Sequence, residues 1–339
     1  MTKIVSDVLV IGADGFLGRK LQPRLKKIFK FHVYLLDINY SDELSSAGLD
    51  QFLRIPAINQ LEEIFLLRSR QEQFGTDVKR HLVIVNLSGV SRKGKFKSPL
   101  DESIKFVKNT EISVRICNFI SYLFVRNFYD YVDLVHLSTN GVTLDREPRA
   151  YEKSKVAQEV AFRGFFSNLD CGDAQCEMIR LCDVYGSDED HKDKVINSII
   201  ECAKMEKRLP FVTDGAMLFP IHIDFVIDFL CQRFESIIAA KSDSHLTCTD
   251  HIKVVSLVPK YSYKIRQVDD FVGKLISHKK ISLFTRFWYS VSGRILSLIH
   301  IHWSRKSSNA WYSLFLKENS EIEFFRDKQS LLGYIETKI

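Results

Sequence analysis

Strand-length apolar runs alternate with helix-length amphipathic segments through the first half of this 339-residue chain. Three glycines separate the first run from the first helical segment, and a carboxylate closes the second run. Together these features predict an α/β fold: a doubly wound parallel sheet with ligands at the carboxyl ends of its strands, and a smaller C-terminal substrate-binding lobe. The rhythm changes near residue 188. Residues 1–188 therefore read as the sheet domain and 189–339 as the lobe, interleaved with the first rather than independent.

Residues 8–11 form the first apolar run and lead into Gly12, Gly15 and Gly18. Gly12 allows a tight turn, Gly15 lets the backbone approach a pyrophosphate, and Gly18 lets the new helix lie close to the strand. Phe16 and Leu17, between the last two glycines, open that helix, whose N-terminus directs free N–H groups at an anion. A glycine-rich turn without a ligand is the competing reading of the triplet alone. The context favours the dinucleotide reading, because a second apolar strand, 31–36, ends in Asp37, about 20 residues after the turn. A carboxylate there accepts both ribose hydroxyls and repels a 2′-phosphate, which predicts NAD rather than NADP.

The first helix is expected over 19–29. Residues 39–48 are polar and read as a loop or short helix. A short third strand over 51–55 ends in Ile55, beside the cofactor, and Pro56 suits the first turn of a helix reaching residue 70. Residues 81–87 are continuously apolar, as in a strand buried on both faces, and end in Asn86-Leu87-Ser88-Gly89. The small residues let the backbone at Leu87, Ser88 and Gly89 pass under the cofactor. The basic loop 92–97 has two readings, a phosphate contact and a solvated loop. Residues 100–128 carry helical spacing, and 133–137 form a strand running into Ser138-Thr139-Asn140-Gly141. Residues 151–166 are helical, and a strand over 177–181 leads to Val184-Tyr185-Gly186. A helix over 194–207, a turn at Pro210 and the stretch 219–235 follow.

Tyr151 and Lys155 lie four apart and share one helix face. An ammonium beside a phenol favours the phenolate, so the pair predicts a lowered phenol pKa and an acid/base for interconverting a hydroxyl and a carbonyl. Thr139 or Ser138 would hydrogen-bond the same substrate oxygen. A solvated helix face is the competing reading of a lone Tyr-Lys pair; the glycine turn and the strand before it favour the catalytic one.

With these residues in view, the chain resembles an extended short-chain dehydrogenase/reductase of the NAD-dependent epimerase/dehydratase family, a Rossmann-type fold. Residues 12–18 match its GxxGxxG turn, Asp37 its ribose acid, and Thr139, Tyr151 and Lys155 its Ser/Thr-Tyr-Lys triad. Residues 180–186 resemble its substrate-side loop, 221–224 its H-V-D-D motif, and 327–334 its closing helix and LGY turn. The resemblance spans nearly the whole chain. It implies that 1–188 bind NAD, that Lys155 also holds the nicotinamide ribose, and that Tyr151 exchanges a proton as hydride moves. It implies substrate contacts at Ser138, Asn140, Asp183 and His222, and a homodimer formed through helices 100–128 and 151–166.

The chain also departs from the family. Arg54 stands where an Asp often meets the adenine amine. Asp183 replaces an Asn that holds nucleotide-sugar substrates, and Leu218 or Phe219 occupies the region of a diphosphate-binding Arg. No Asp-Glu pair follows Thr139, which argues against 4,6-dehydration. The segment 140–150 is shorter than in typical sugar epimerases. For His222 a structural hydrogen bond at the lobe junction is the competing reading.

Composition bounds the rest. The chain is 45% hydrophobic, and its mean hydropathy of −0.07 fits a globular protein. A net charge of +6 without a clustered basic patch gives no reason to expect nucleic acid. The seven cysteines lack CxxC pairing and read as reduced residues of a cytoplasmic protein. His300 and His302 alternate with no third ligand, so no metal site is expected. No signal peptide fits before the first strand. Residues 283–303 are apolar but interrupted by Arg286 and Arg294. They read as a lid packing inward or as a contact with a membrane surface.

Three functions compete. The first is an NAD-dependent oxidoreductase or epimerase acting on a hydroxyl of a sugar, nucleotide- or lipid-linked, in surface-polysaccharide synthesis; the pathway rests on the resemblance. The second is a dehydrogenase or reductase of a non-sugar, apolar alcohol, favoured by Leu218, Phe219 and the aromatic late segment. The third is a non-catalytic NAD-bound regulatory module.

Overall fold

The structure, a computed structural model, describes residues 3–29, 32–37, 52–55, 78–89, 99–143, 150–169, 174–186, 195–205, 217–242, 251–259, 262–277, 321–325 and 331. Expectations for 39–48, 56–70, 92–97, 283–303 and most of 327–334 fall outside these residues.

The first half runs β1 (Lys3–Ile11), α1 (Phe16–Ile28), β2 (Val33–Leu36), β3 (Phe52–Ile55), β4 (Val78–Asn86), α2 (Pro99–Val125), β5 (Tyr131–Thr139), α3 (Ala150–Ser167) and β6 (Ala174–Leu181). It continues with β7 (Asp183–Tyr185), α4 (Val195–Lys204), β8 (Met217–Leu218), β9 (Pro220–His222), α5 (Ile223–Ser242), β10 (Ile252–Pro259), β11 (Tyr263–Lys264), α6 (Ile265–Ser277) and β12 (Glu321–Phe325). The main sheet has eight strands in the order β12-β10-β6-β5-β4-β1-β2-β3, and every pairing in it is parallel. This is the doubly wound, Rossmann-like sheet the sequence predicts. The strand order reverses between β1 and β4, where such sheets open a crevice at their carboxyl ends.

The pleat sorts the strand side chains into two layers. Val8, Val10, Val33, Val83, Val85 and Val135 pack on α1 and α5, through Leu21, Leu25, Leu230 and Phe234. Leu9, Ile11, Tyr34, Leu82, Ile84 and Leu134 pack on α2 and α3, through Ile116, Ile120, Phe162 and Phe166. Both faces are covered, which is why these strands read as continuous apolar runs. Burying each such side chain is worth roughly 1.5–3 kcal/mol.

Element ends shift from expectation for local reasons. α1 starts at Phe16 rather than residue 19, because Gly15 is its N-cap and the carbonyl of Gly15 accepts the first helical bond, from Arg19 N at 3.0 Å. α2 stops at Val125 rather than 128, because Asn127 takes a left-handed φ of 53° and Phe128 N turns back to Leu123 O.

A third core joins α4, α6 and β8 through Ile199, Ile200, Leu218, Val268 and Val272, with Tyr185 and Leu331 against it. The main sheet nonetheless draws on both sides of residue 188, since β10 pairs with β6 and β12 with β10. Among the described residues, no helix is long and apolar enough to cross a membrane.

Candidate active site

The carboxyl ends of β1, β2 and β4 are level, with Ile11 in register with Leu36 and Asn86, and β5 runs on past that level, since Asn86 is in register with His136 and β5 ends at Thr139. The residues that follow the first three ends, Gly12–Gly15, Asp37 and Leu87–Gly89, gather on one edge of the sheet with Thr139, the last residue of β5.

The turn after β1 is built as the glycines require. Gly12 has φ +81°, and a Cβ there would meet Ser88 N at 3.0 Å. Its N–H donates to Leu36 O at 2.8 Å, and Ala13 N follows to the same carbonyl at 3.2 Å. A Cβ on Gly18 would fall 2.3 Å from Ala13 O, so only glycine lets α1 lie this close to the turn. Gln22 Nε2 donates to Ala13 O at 2.7 Å and closes the turn from the helix side. No side chain caps α1 and its first turn carries no acid, which leaves its N-terminal amides and dipole directed at the crevice. Phe16 and Leu17 are half-buried against the core of that face.

Asp37 is 6% exposed, and its Oδ2 accepts Asp14 N at 2.9 Å. The ribose acid of the sequence reading thus also ties the end of β2 to the glycine turn. Ile55 ends β3, two strands from the crevice. At the end of β4, Asn86 Oδ1 accepts both the amide and the hydroxyl of Ser88, at 3.1 and 2.5 Å, and its Nδ2 meets His136 Nδ1 at 3.1 Å. Burial, then the charge of Lys155, holds His136 well below the usual imidazole range, so it is neutral and its Nδ1 accepts. Gly89 faces Lys155: a Cβ there would sit 3.3 Å from Lys155 Nζ.

α3 brings Tyr151 and Lys155 to this edge. Lys155 is 2% exposed and donates to Ser88 O and Leu137 O, each at 3.0 Å. Its Nζ is 6.0 Å from the Tyr151 ring centroid. The expectation of a lowered phenol pKa is overturned. Burial, then the charge of Glu152, pushes Tyr151 up to about 12. Burial also pulls Lys155 down to about 7, against the opposing charge of Glu159. The ammonium is bonded to carbonyls rather than to the phenol, and desolvation outweighs its attraction. The site as built holds a neutral phenol, ready to donate a proton, beside an amine that ionises near neutrality.

The structure divides the remaining candidates. Thr139 is half-buried, with its hydroxyl accepting Gly141 N at 3.2 Å. Ser138 is 5% exposed and donates to Glu159 Oε1 at 2.6 Å, on the face toward α3. Asn140 is buried, and its Nδ2 donates to Leu257 O at 3.2 Å and to Cys182 Sγ at 2.8 Å. Asp183 is exposed, and its Oδ2 accepts Phe219 N at 3.3 Å. The His222 ring meets Tyr185 edge-on at 5.2 Å, and its Nδ1 accepts Asp224 N at 3.3 Å. That ring lies directly on Gly186, whose φ is +112° and whose added Cβ would fall 2.4 Å from His222 Nε2. Leu218 and Phe219 are each 4% exposed, and Leu218 is part of the small core. Sequence reasoning missed Glu159, although its place four residues after Lys155 put it on the same helix face.

Cys117, Cys176, Cys182, Cys202 and Cys231 are free thiols. Burial raises the pKa of Cys117, Cys176, Cys182 and Cys231. Among the described residues, no three His, Cys, Asp or Glu side chains are grouped to hold a metal ion.

No protein-family model and no curated protein matches the sequence. Solved structures match its fold. UDP-glucuronic acid 4-epimerase of Bacillus cereus, solved with UDP-glucuronic acid and NAD, superposes with a TM-score of 0.59 at 15% identity, covering 98% of this chain and 97% of its own. UDP-glucose 4-epimerase of Thermotoga maritima, solved with UDP-glucose, gives 0.58 at 13% identity over 98% and 97%. The dTDP-glucose 4,6-dehydratase of Bacillus anthracis, solved with NAD, gives 0.52 at 14% identity over 95% and 85%.

Proposed function

We propose that this chain is an NAD-dependent enzyme of the extended short-chain dehydrogenase/reductase kind, an epimerase or oxidoreductase acting on a sugar hydroxyl. The observation that carries the reading is convergence. The glycine turn, Asp37, the Ser88–Gly89 backbone and the Tyr151/Lys155 pair meet at one edge of the sheet, where its strand order reverses. The residues fit a dinucleotide. Gly12 and Gly18 leave cradles that a Cβ would fill, the N-terminus of α1 has no side-chain cap, and the buried Asp37 carboxylate follows β2, where the ribose hydroxyls of a dinucleotide would meet it. Three similar folds are solved with NAD or a UDP-sugar, which supports the same ligand classes here.

NAD, when bound, supplies the hydride acceptor and donor. The chain's own residues do the rest. The N-terminus of α1 and the amides after Gly12 hold the pyrophosphate. Asp37 holds the adenine-side ribose, and Lys155 the nicotinamide ribose. Thr139 orients the substrate oxygen, and Tyr151 moves the proton on that oxygen. Asp183 and the apolar Leu218–Phe219 pair make poor diphosphate ligands. Because Leu218 and Phe219 are core residues, they lend no support to an apolar-alcohol substrate. The free thiols fit a cytoplasmic setting.

A second copy completes the reading. Ile104, Val107 and Val114 form an exposed stripe on α2, interrupted by the Glu111–Arg115 ion pair, and Val160 is exposed on α3. This is the surface that a homodimer through these helices would bury.

The test is turnover with NAD and a panel of nucleotide sugars, followed by the absorbance of reduced nicotinamide and by NMR of the sugar. Tyr151→Phe should lose about 10²-fold or more of turnover while still binding NAD. Unchanged turnover in Tyr151→Phe would favour the non-catalytic module.

A further inference from the structure

Asn86 and His136 face each other across β4 and β5 at the last paired rung of those strands, and both are fully buried. The rungs below them on the same face, Ile84 with Leu134 and Leu82 with Val132, are wholly apolar. Directly under the crevice the core thus changes from apolar to polar. Asn86 Oδ1 accepts Ser88 N at 3.1 Å and Ser88 Oγ at 2.5 Å, and Asn86 Nδ2 meets His136 Nδ1 at 3.1 Å. Because Ser88 N can only donate, the amide oxygen must face it and the amide nitrogen must face the imidazole. His136 Nδ1 therefore accepts, and Nε2 carries the proton of the neutral ring.

Among the described residues, that proton meets no hydrogen-bond acceptor, and the ring packs on Phe162 with centroids 4.9 Å apart. A buried donor left unpaired costs stability, and an apolar pair like those on the rungs below would cost less. The placement of the pair points to a use at the crevice. Ser88 and Gly89, the segment that Asn86 holds, are wedged between the two halves of the site. On one side, a Cβ on Gly12 would meet Ser88 N at 3.0 Å and Ser88 Cα at 3.1 Å. On the other, Ser88 O accepts Lys155 Nζ at 3.0 Å. There a Cβ on Gly89 would lie 3.3 Å from Lys155 Nζ and 3.8 Å from Tyr151 Cε2. A continuous line of hydrogen bonds runs from His136 through Asn86 and Ser88 to Lys155.

We propose that His136 is a positioning residue. By fixing the Asn86 amide it holds Ser88 and Gly89 as a rigid spacer between the glycine turn and the Tyr151/Lys155 pair. It thereby sets the span that a bound dinucleotide must bridge. The role in dinucleotide binding rests on the functional reading above. The tether from His136 to Ser88 stands on the hydrogen bonds alone.

The experiment uses the nucleotide-stripped full chain carrying ¹⁵N-labelled serine, with Ser88→Ala to assign the signal. It reads hydrogen exchange of the Ser88 amide and, separately, the Kd for NADH. The line from His136 to Ser88 passes through Asn86, so His136→Leu should speed that exchange without touching the serine. It should also weaken NADH binding, each effect being about tenfold or more. His136→Asn, whose Oδ1 stands where Nδ1 stood, should recover most of both. Because His136→Leu leaves the Asn86 amide without its buried acceptor, Asn86→Leu/His136→Leu is measured beside it. The double variant removes both polar partners and should melt no lower than the wild type, yet bind NADH about tenfold or more weakly. A purely structural pair would instead lose stability and binding together. A folded His136→Leu whose Ser88 amide exchanges as in the wild type overturns the proposal. Faster exchange with unchanged NADH binding overturns the positioning role. No NADH binding by the wild type defeats the functional reading, and the exchange rates then decide the tether by themselves.

Discussion

Gly18 and Gly164 both sit in helices, and the same added methyl group should act on them in opposite directions. A Cβ on Gly18 meets the Ala13 carbonyl oxygen at 2.3 Å and its carbon at 2.6 Å, and this is backbone that cannot swing away. Gly18→Ala should destabilise the fold by about 1–3 kcal/mol and push α1 off the turn that it serves. Around Gly164 nothing lies within 4 Å of the added carbon. Gly164→Ala removes a helix-interior glycine at no steric cost and should stabilise by about 0.5–1 kcal/mol. Urea unfolding of the two variants checks the pair, and a Gly18→Ala as stable as wild type would contradict the close approach. The glycines were legible because their cause is local: only one residue type fits. The protonation of Tyr151 and Lys155 was not, because it depends on desolvation by strands and loops remote in sequence. Spacing placed the two groups on one helix face but said nothing of the carbonyls of Ser88 and Leu137 that take the ammonium.

At the scale of elements, β5 shows where sequence pattern stops. Ser138 and Thr139 are adjacent polar residues at a strand end, and the sequence treats them as interchangeable. The pleat does not, because neighbours on a strand point to opposite faces. Ser138 turns inward with His136 to meet α3, which leaves Thr139 as the candidate for the substrate. β10 and β12 escaped the reading because their pairing to the sheet is non-local, while α2 and α3 were visible from period alone. Those two helices also carry a prediction. Val107 is 58% exposed in the stripe on α2. Sedimentation at micromolar concentration should show a dimer, and Val107→Asp should dissociate it without unfolding the protomer. A monomeric wild type would contradict the proposed assembly.

Across the whole molecule, buried ionisable groups set how stability follows pH. Burial works to raise the Asp7 pKa, but hydrogen bonds from His32 and Tyr129 and the charges of His32 and Arg80 outweigh it and hold the carboxyl below its ordinary 3.8. That contribution is present above 3.8 and lost as pH falls through the folded value. His136 is held well below 6.5, so the unfolded chain takes up its proton first, and stability falls as pH drops below about 6.5. Lys155 behaves likewise between its unfolded 10.5 and its folded value of about 7. The penalty of burying its charge is full below 7 and lifts as pH rises. Tyr151 and the buried thiols have the opposite sign. Their folded pKa values are raised above 10.0 and 9.0, so their contribution is lost once unfolded chains can ionise them. The melting temperature should therefore be highest between about pH 7 and 9. Lys155→Met should flatten the rise from pH 7 to 9, which in the wild type reaches up to about 1.4 kcal/mol per pH unit for that one proton. Differential scanning calorimetry across pH checks both, and a rise of unchanged slope in Lys155→Met would count against the buried amine.

The most direct test of the central claim is calorimetric titration of the purified, nucleotide-stripped protein with NADH and, separately, NADPH. The account predicts saturable binding of NADH, at least about tenfold tighter than NADPH because Asp37 repels the 2′-phosphate, and a narrowed gap in Asp37→Ala. Failure to bind either dinucleotide would contradict the assignment of the crevice above Gly12, Asp37 and Lys155.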